Sequence, residues 1–459
     1  MKIRNRSVCF FLSYLLLFFS LSVPALGAKN DPPSLEKANS VWFYHLETES
    51  LVLSKNADAN VGAGSSVKIM AGLLFCERLK DRLQEDIYIT EEIMDQLPSL
   101  LGHSLRISAG DMTTVDQLLY AALCGSYNDA FYILGIITAG SIDAFLELMN
   151  GRAKELGMVD TGFSDPTGMK SGSRTSAADM AKLMRVAYEN DLYMERCNAE
   201  SFAFSSVKIA KTVYNRNALL CSYETQKYYN KYCNGMSAGS TTADGNCVLT
   251  VAKHDRDTYF CIVLGAEESD GTEYGYRVVN NLIRWAVDTY AYIPVISPET
   301  KICTLPVTVS DTVTEVSVST DETVYAWLPK GVEPGTDIKY DLRLLQTSLE
   351  APVKAGDFVG YVAIVYGDRV LGTVKLYADL DAQRSPVGSA LKEIQGIMKN
   401  RVFVAGMIFF TLAMTAWIVT ECLISRHRKH KWDKYFSNKM ELGEEILKSK
   451  SPSNRNHRS

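Results

Sequence analysis

The sequence predicts an α/β or α+β domain, then a small all-β domain, then a helix that crosses a membrane. Three observations carry this expectation. Between about Ser40 and Val295, strand-like and helix-like patterns alternate. From Thr304 to Ala378 apolar and polar residues alternate at period two, broken by close-set turns such as KGVEPG and YGDR. Val402–Ile424 is an apolar run with one charge, Glu421, at its edge, and has about the length that spans a bilayer core.

Taken in order, residues 1–27 read as a secretory signal peptide. Basic MKIRNR precedes the apolar run Val8–Val23 and the small residues ALGA, so cleavage is expected near Gly27 or Ala28. In residues 28–295, VWFYHL and SLVLS form a paired hairpin. IMAGLLFCERL, VDQLLYAALC and DAFLELMNGRAKEL repeat apolar residues at helical spacing. NCVLTVAK and YFCIVLGAE are strands again, joined by the charged turn HDRD. Residues 300–380 form the small β domain, and 386–401 a short stalk helix with the stripe Leu391, Ile394 and Met398. The membrane helix is 402–424. The tail, 425–459, opens with Arg426, Arg428, Lys429 and Lys431, and positive-inside logic puts it in the cytoplasm and everything between the two apolar segments outside.

Composition narrows the function classes. Of 459 residues, 47% are hydrophobic and 22% charged, with a formal net charge of -5, which gives no footprint for nucleic acid. The histidines outside the tail, His45, His103 and His254, have no ligand spacing, so neither metal nor cofactor is expected. Eight cysteines lie in the outward part without CxxC-like spacing, and their pairing stays open.

A nucleophilic serine needs a base held against it. Ser65 and Lys68 stand at i and i+3, on one helix face, after a turn carrying Gly62 and Gly64 and ahead of a buried apolar helix. Desolvation there lowers a lysine pKa and lets it accept the hydroxyl proton. The pentapeptide SSVKI recurs at Ser205, but with no glycine turn before it and no long apolar helix after it. Ser126-Tyr127-Asn128 follows the apolar helix LLYAALC; its hydroxyl suits a proton relay and its carboxamide suits binding the lysine and a peptide group.

SxxK followed about sixty residues later by SxN resembles the penicillin-binding proteins and β-lactamases. More narrowly, Ser40 to Glu268 is similar to the D-alanyl-D-alanine carboxypeptidases, the low-molecular-weight penicillin-binding proteins. The pattern runs through SSVKIMAGLL, GDMTTVDQLLYAAL with SYNDA, MNGRAKELGMVDTGFSDPTGM, RTSAADMAKLM, NRNALL, DGNCVLTVAK and IVLGAE. The resemblance implies a penicillin-binding-protein/β-lactamase-like transpeptidase domain whose partners are peptidoglycan stem peptides and, as covalent inhibitors, β-lactams. It implies Ser65 as nucleophile, Lys68 as base, Ser126 as relay and Asn128 as positioner, with backbone N–H groups of Ser65 and Ser240 as oxyanion donors. It also implies a C-terminal anchor in the cell membrane.

One block departs from the family. Its third motif, Lys-Thr-Gly, is replaced by Ser237-Ala238-Gly239; the glycine remains, but the positive charge and the hydroxyl that meet the substrate carboxylate are gone. Lys227 and Lys231 are the nearby candidates for a substitute cation. Two readings follow: an altered or slowed D,D-carboxypeptidase, favoured by the four retained polar residues, or a degenerate homologue that binds cell-wall peptide or a partner without efficient turnover.

Overall fold

The computed structural model describes residues 31–223 and 226–448; the expected signal peptide lies outside them, as does the last stretch of the tail. Two compact units are present, one of residues up to Val295 together with Tyr325–Pro334, the other of Ile296–Val324 and the chain from Gly335.

The first unit is built on a five-stranded sheet of β1 (Ser40–His45), β2 (Ser50–Lys55), β3 (Cys233–Thr241), β4 (Gly245–His254) and β5 (Asp257–Ala266), in the spatial order β2-β1-β5-β4-β3. Every pairing in it is antiparallel. The near-continuous apolar run of β5 is explained by burial on both faces. Phe260, Ile262 and Leu264 join one core cluster while Tyr259, Cys261 and Val263 join the other, the period-two division of a strand. The first cluster holds α1 (Val67–Leu79), α2 (Val115–Leu123), α3 (Asn128–Ala139), α4 (Ile142–Glu155), α5 (Ala177–Tyr188) and α6 (Asp191–Asn198). The second is closed by α7 (Tyr274–Thr289). The first unit is thus three layers: helices, sheet, helix.

The central helix is α1, in which Val67 through Cys76 are buried, so it has no solvent-facing stripe. Side-chain caps fix where its neighbours begin: Thr114 accepts from the Gln117 amide, Ser141 from Ala144 and Ser176 from Asp179. Residues 325–334 return to this unit, where Trp327 stacks on Tyr290 at 4.0 Å and on His45 at 5.2 Å and donates to the Tyr259 hydroxyl.

In the second unit, a six-stranded sheet runs in the order Ile338–Leu344, Phe358–Tyr366, Arg369–Ala378, Glu315–Ser319, Cys303–Thr308 and Leu349–Glu350. All its neighbours are antiparallel except the last pair. The stalk expected at 386–401 is helix α8 (Pro386–Lys399), capped by Ser385. Helix α9 (Arg401–Lys448) contains the apolar run and continues well past it. It is the one helix among the described residues long and apolar enough by itself to cross a membrane.

Candidate active site

Three elements meet at one cleft: the N-terminus of α1, the α2–α3 loop, and the edge strand β3. The chain enters α1 through a single 3-10 turn, Gly64–Ser66, with Gly64 at φ +47°, where glycine carries no steric penalty. The Gly64 amide donates to Asp244 Oδ2 at 3.1 Å, and a Cβ on Gly62 would overlap the same carboxylate. From the other side, Gly168 (φ +76°) packs so closely that a Cβ there would strike the Gly64 carbonyl oxygen. Its loop is held by the Asp165 carboxylate, which accepts from the amides of Thr167 (3.2 Å), Gly168 (3.1 Å) and Met169 (3.1 Å). The turn before Ser65 is therefore gripped on both sides. Sequence reasoning gave Asp165, Gly168 and Asp244 no role, although the turn-forming Asp-Pro-Thr-Gly was visible.

One helical turn beyond Ser65, Lys68 lies 8% exposed, with Nζ 2.9 Å from the Ser126 carbonyl and 2.8 Å from the Ser126 hydroxyl. The ammonium also sits 5.2 Å from the Phe131 ring centre. Burial lowers its pKa to about 7, with the Arg216 guanidinium pushing the same way and the Asp165 carboxylate opposing. Ser126 presents both oxygens because its backbone is left-handed, φ +56°, an uncommon conformation for a residue other than glycine.

Asn128 opens α3 and is buried, but its amide nitrogen donates to the Leu101 carbonyl at 2.6 Å rather than serving Lys68. Its Oδ1 has no hydrogen-bond partner among the described residues. The next residue fixes the loop: Asp129 accepts from the Ser104 hydroxyl at 2.7 Å and from the amides of Leu105 (3.1 Å) and Ile107 (3.2 Å).

Along β3, the Ser65 hydroxyl donates to the Gly239 carbonyl at 3.1 Å, so in this state its proton points at the strand and not at Lys68. A Cβ at Gly239 would lie 3.0 Å from Ser65 Cβ, a close approach that glycine suits. Ser237 donates to the Ser65 carbonyl at 3.3 Å, and Ala238 is buried. Ser240 is exposed and its hydroxyl is bound to Glu268 Oε2 at 2.7 Å. Strand β3 thus brings no positive charge to Ser65, and its exposed end is bound by the Glu268 carboxylate.

A cation on another segment lines the cleft. Arg216 lines a small cavity of about 20 Å³, room for roughly one water, together with Lys68, Ser126, Ser237 and Ala238. Its flanking asparagines build the turn that presents it: Asn215 donates to the carbonyls of Cys197 (2.9 Å) and Ala199 (2.8 Å), and Asn217 Oδ1 accepts from the Leu219 amide at 3.1 Å. The two nearby lysines do not line this cavity: Lys227 donates to the Gly271 carbonyl at 2.6 Å, and Lys231 sits 5.0 Å from the Tyr232 ring centre. Sequence reasoning passed over Arg216, though a lone arginine between two turn-forming asparagines was a readable signal. The second SSVKI copy is different in kind. Ser205 ends the strand Ser201–Ser205, and exposed Lys208 lies in the turn before Ala210–Tyr214.

The nine described cysteines are all unpaired. Cys247 lies beneath the nucleophile turn, where burial raises its thiol pKa to about 11.

Comparison with known proteins agrees with this frame. The family model for D-alanyl-D-alanine carboxypeptidase matches residues 28–268, and that for the penicillin-binding protein 5 C-terminal domain matches 291–384. The D-alanyl-D-alanine carboxypeptidase DacC of Escherichia coli is 28% identical over 357 residues, covering 76% of this chain and 85% of its own. DacF of Bacillus subtilis is 23% identical, covering 83% and 95%. Among solved structures, the carboxypeptidase DacD of Francisella tularensis matches with a TM-score of 0.55 at 22% identity, over 80% of this chain and 98% of its own. Penicillin-binding protein 6B of Escherichia coli matches with a TM-score of 0.56 at 21% identity, over 76% and 97%. The first family model alone spans more than half of the chain, and the protein belongs to the D-alanyl-D-alanine carboxypeptidase family of serine peptidases.

Proposed function

We propose that the protein is a serine-type D-Ala-D-Ala carboxypeptidase that trims peptidoglycan stem peptides through an acyl-enzyme at Ser65, at a reduced rate. The observation that carries this reading is a buried lysine with a pKa near 7, one turn from Ser65 and hydrogen-bonded to Ser126. Neutral Lys68 takes the Ser65 proton as Oγ bonds the carbonyl carbon between the two D-alanines. The oxyanion is met by the amides of Ser65 and Ser240. When the C–N bond breaks, Ser126 passes a proton to the departing amine; water then attacks the ester and releases Ser65. Asn128 and Gly239 shape the cleft, and Arg216 supplies positive charge toward the terminal carboxylate where Ser237 cannot.

The rate is reduced because the clamp is incomplete. A hydrogen bond to a charged group contributes about 1.5–3 kcal/mol, so one missing contact slows the reaction by roughly ten- to a hundredfold. That Ser240 is tied to Glu268, and the Ser65 hydroxyl to Gly239, favours the second reading, a homologue that binds cell-wall peptide without turnover. The apolar run of α9 and the basic residues after it support a single-pass protein of the cell membrane with its catalytic domain outside. The test is acylation by a labelled penicillin. Slow labelling of the full chain that vanishes in Ser65→Ala is expected; no labelling at high concentration, or labelling that survives the substitution, overturns the enzyme reading.

A further inference from the structure

Ser126 is held in a backbone conformation that a serine does not favour. Its φ is +56°, and its carbonyl and hydroxyl oxygens both meet Lys68 Nζ. A residue other than glycine keeps such a conformation only where its surroundings over-determine it. The end of α2 supplies part of that constraint. The Gly125 amide donates to the Tyr120 carbonyl at 3.1 Å, and the Tyr127 amide to the Ala121 carbonyl at 3.0 Å. These bonds leave the Gly125 carbonyl and the Asn128 amide, on either side of Ser126, to find partners outside the helix.

One residue meets both. His103 Nε2 lies 2.9 Å from the Gly125 carbonyl oxygen, and the His103 carbonyl accepts from the Asn128 amide at 2.8 Å. A carbonyl oxygen cannot donate, so Nε2 carries the proton of this bond. Burial lowers the His103 pKa and keeps the ring neutral near pH 7. The Gly125 bond and the Asp129 carboxylate oppose that fall, and the Arg216 and Lys68 charges add to it. The ring also stacks on Tyr127, with centres 4.2 Å apart and planes 13° apart. Tyr127 in turn covers Gly125, where a Cβ would lie 2.5 Å from two of its ring carbons, and Lys211 Nζ stands 4.8 Å from its ring centre. His103 therefore grips the residue before Ser126 and both residues after it.

We infer that His103 is a positioning residue for the proton relay: its ring donor, its carbonyl and its stack on Tyr127 fix the loop that aims the Ser126 oxygens at Lys68. The inference rests on the reading of Ser126 as the group that hands a proton to the departing amine. Without the Nε2 donor, the Gly125–Ser126 peptide is free to turn and the Ser126 hydroxyl leaves its place. A displacement of about 1 Å at such a group costs on the order of a hundredfold in rate. The loss depends on the leaving group, because an amine departs only with a proton and a thiolate departs without one.

The test measures kcat and KM of the full chain on an acyl-D-Ala-D-Ala peptide and on a thioester of the same acyl group. His103→Phe keeps a ring against Tyr127 and removes the donor; His103→Gln keeps a donor and removes the ring. Expected for His103→Phe is a fall in kcat on the peptide on the order of a hundredfold, with KM little changed and thioester turnover kept. Retained thioester turnover also shows that the variant is folded. His103→Gln should recover most of the peptide rate. Equal losses on the two substrates, a wild-type peptide rate in His103→Phe, or a glutamine variant no better than the phenylalanine one overturns the inference and leaves the enzyme reading standing. A wild-type chain that turns over neither substrate and takes no penicillin label at Ser65 overturns that reading, and the inference with it.

Discussion

Replacing Arg216 with glutamine tests the electrostatics of the cleft most directly. Two separable effects are expected, because Arg216 lines the same cavity as Lys68 and Ser237, and its charge adds to the burial that lowers the Lys68 pKa. The first is loss of attraction for the substrate carboxylate. Arg216 is exposed, so the lower end of the charged-hydrogen-bond range applies, about 1.5 kcal/mol or roughly tenfold in kcat/KM. The second is a rise in the Lys68 pKa, which leaves less of the lysine neutral near pH 7. A free-acid D-Ala-D-Ala peptide feels both effects. A thioester substrate without a carboxylate feels only the second, which disappears once the pH exceeds the raised pKa. The assay is therefore kcat/KM for both substrates from pH 6 to 10, with Arg216→Lys as the conservative control. Expected are a roughly tenfold loss on the peptide at high pH that deepens near neutrality, and no loss on the thioester at high pH, with Arg216→Lys intermediate. Equal losses on both substrates at pH 10, or none on either, would show that Arg216 does not serve the carboxylate.

The wild-type acylation rate should rise with pH through about 7 and then level, because attack needs neutral Lys68. The sign for stability is the same: with its folded pKa about 7 against 10.5, Lys68 binds more proton when unfolded between those values, so stability rises with pH across that window. The double substitution Ser237→Lys with Ala238→Thr restores the charge and hydroxyl beside Ser65 and should raise terminal D-alanine release about tenfold or more. An unchanged rate in folded protein would mean the clamp is not limiting. Gly168→Ala places a Cβ against the Gly64 carbonyl at a φ of +76°. Penicillin labelling should fall steeply and the melting temperature by a few degrees; wild-type labelling would show the Asp165–Met169 loop to be a bystander.

The broad architecture was readable because burial leaves a periodic trace. The two-sided burial of β5 is written in YFCIVLGA, and the apolar α1 after Gly62 and Gly64 distinguished Ser65 from Ser205 although both begin the same pentapeptide. Local context sufficed there, because a glycine turn and an apolar helix lie within a few residues of the serine. The bland strand at Ser237-Ala238-Gly239 was equally legible as a missing charge. Which other cation lines the cleft was not. Arg216 reaches the cleft through hydrogen bonds from Asn215 to Cys197 and Ala199, and Asp165, Gly168 and Asp244 grip the nucleophile turn from about 100 to 180 positions away. Spacing along the chain does not encode such approaches.

By itself the sequence determined the order of elements, the serine–lysine pair on one helix face, and the loss of the lysine clamp. Those properties depend on residues close together in the chain or on the period of a single element. Only the tertiary structure decided that Lys68 is desolvated against Ser126 and Phe131, and that Asn128 is turned to Leu101. It also decided that Ser240 is held by Glu268 and that Arg216 lines one cavity with Lys68 and Ser237. Burial depth and charge proximity arise only when distant segments pack, and they set the pKa and the field in which Ser65 acts.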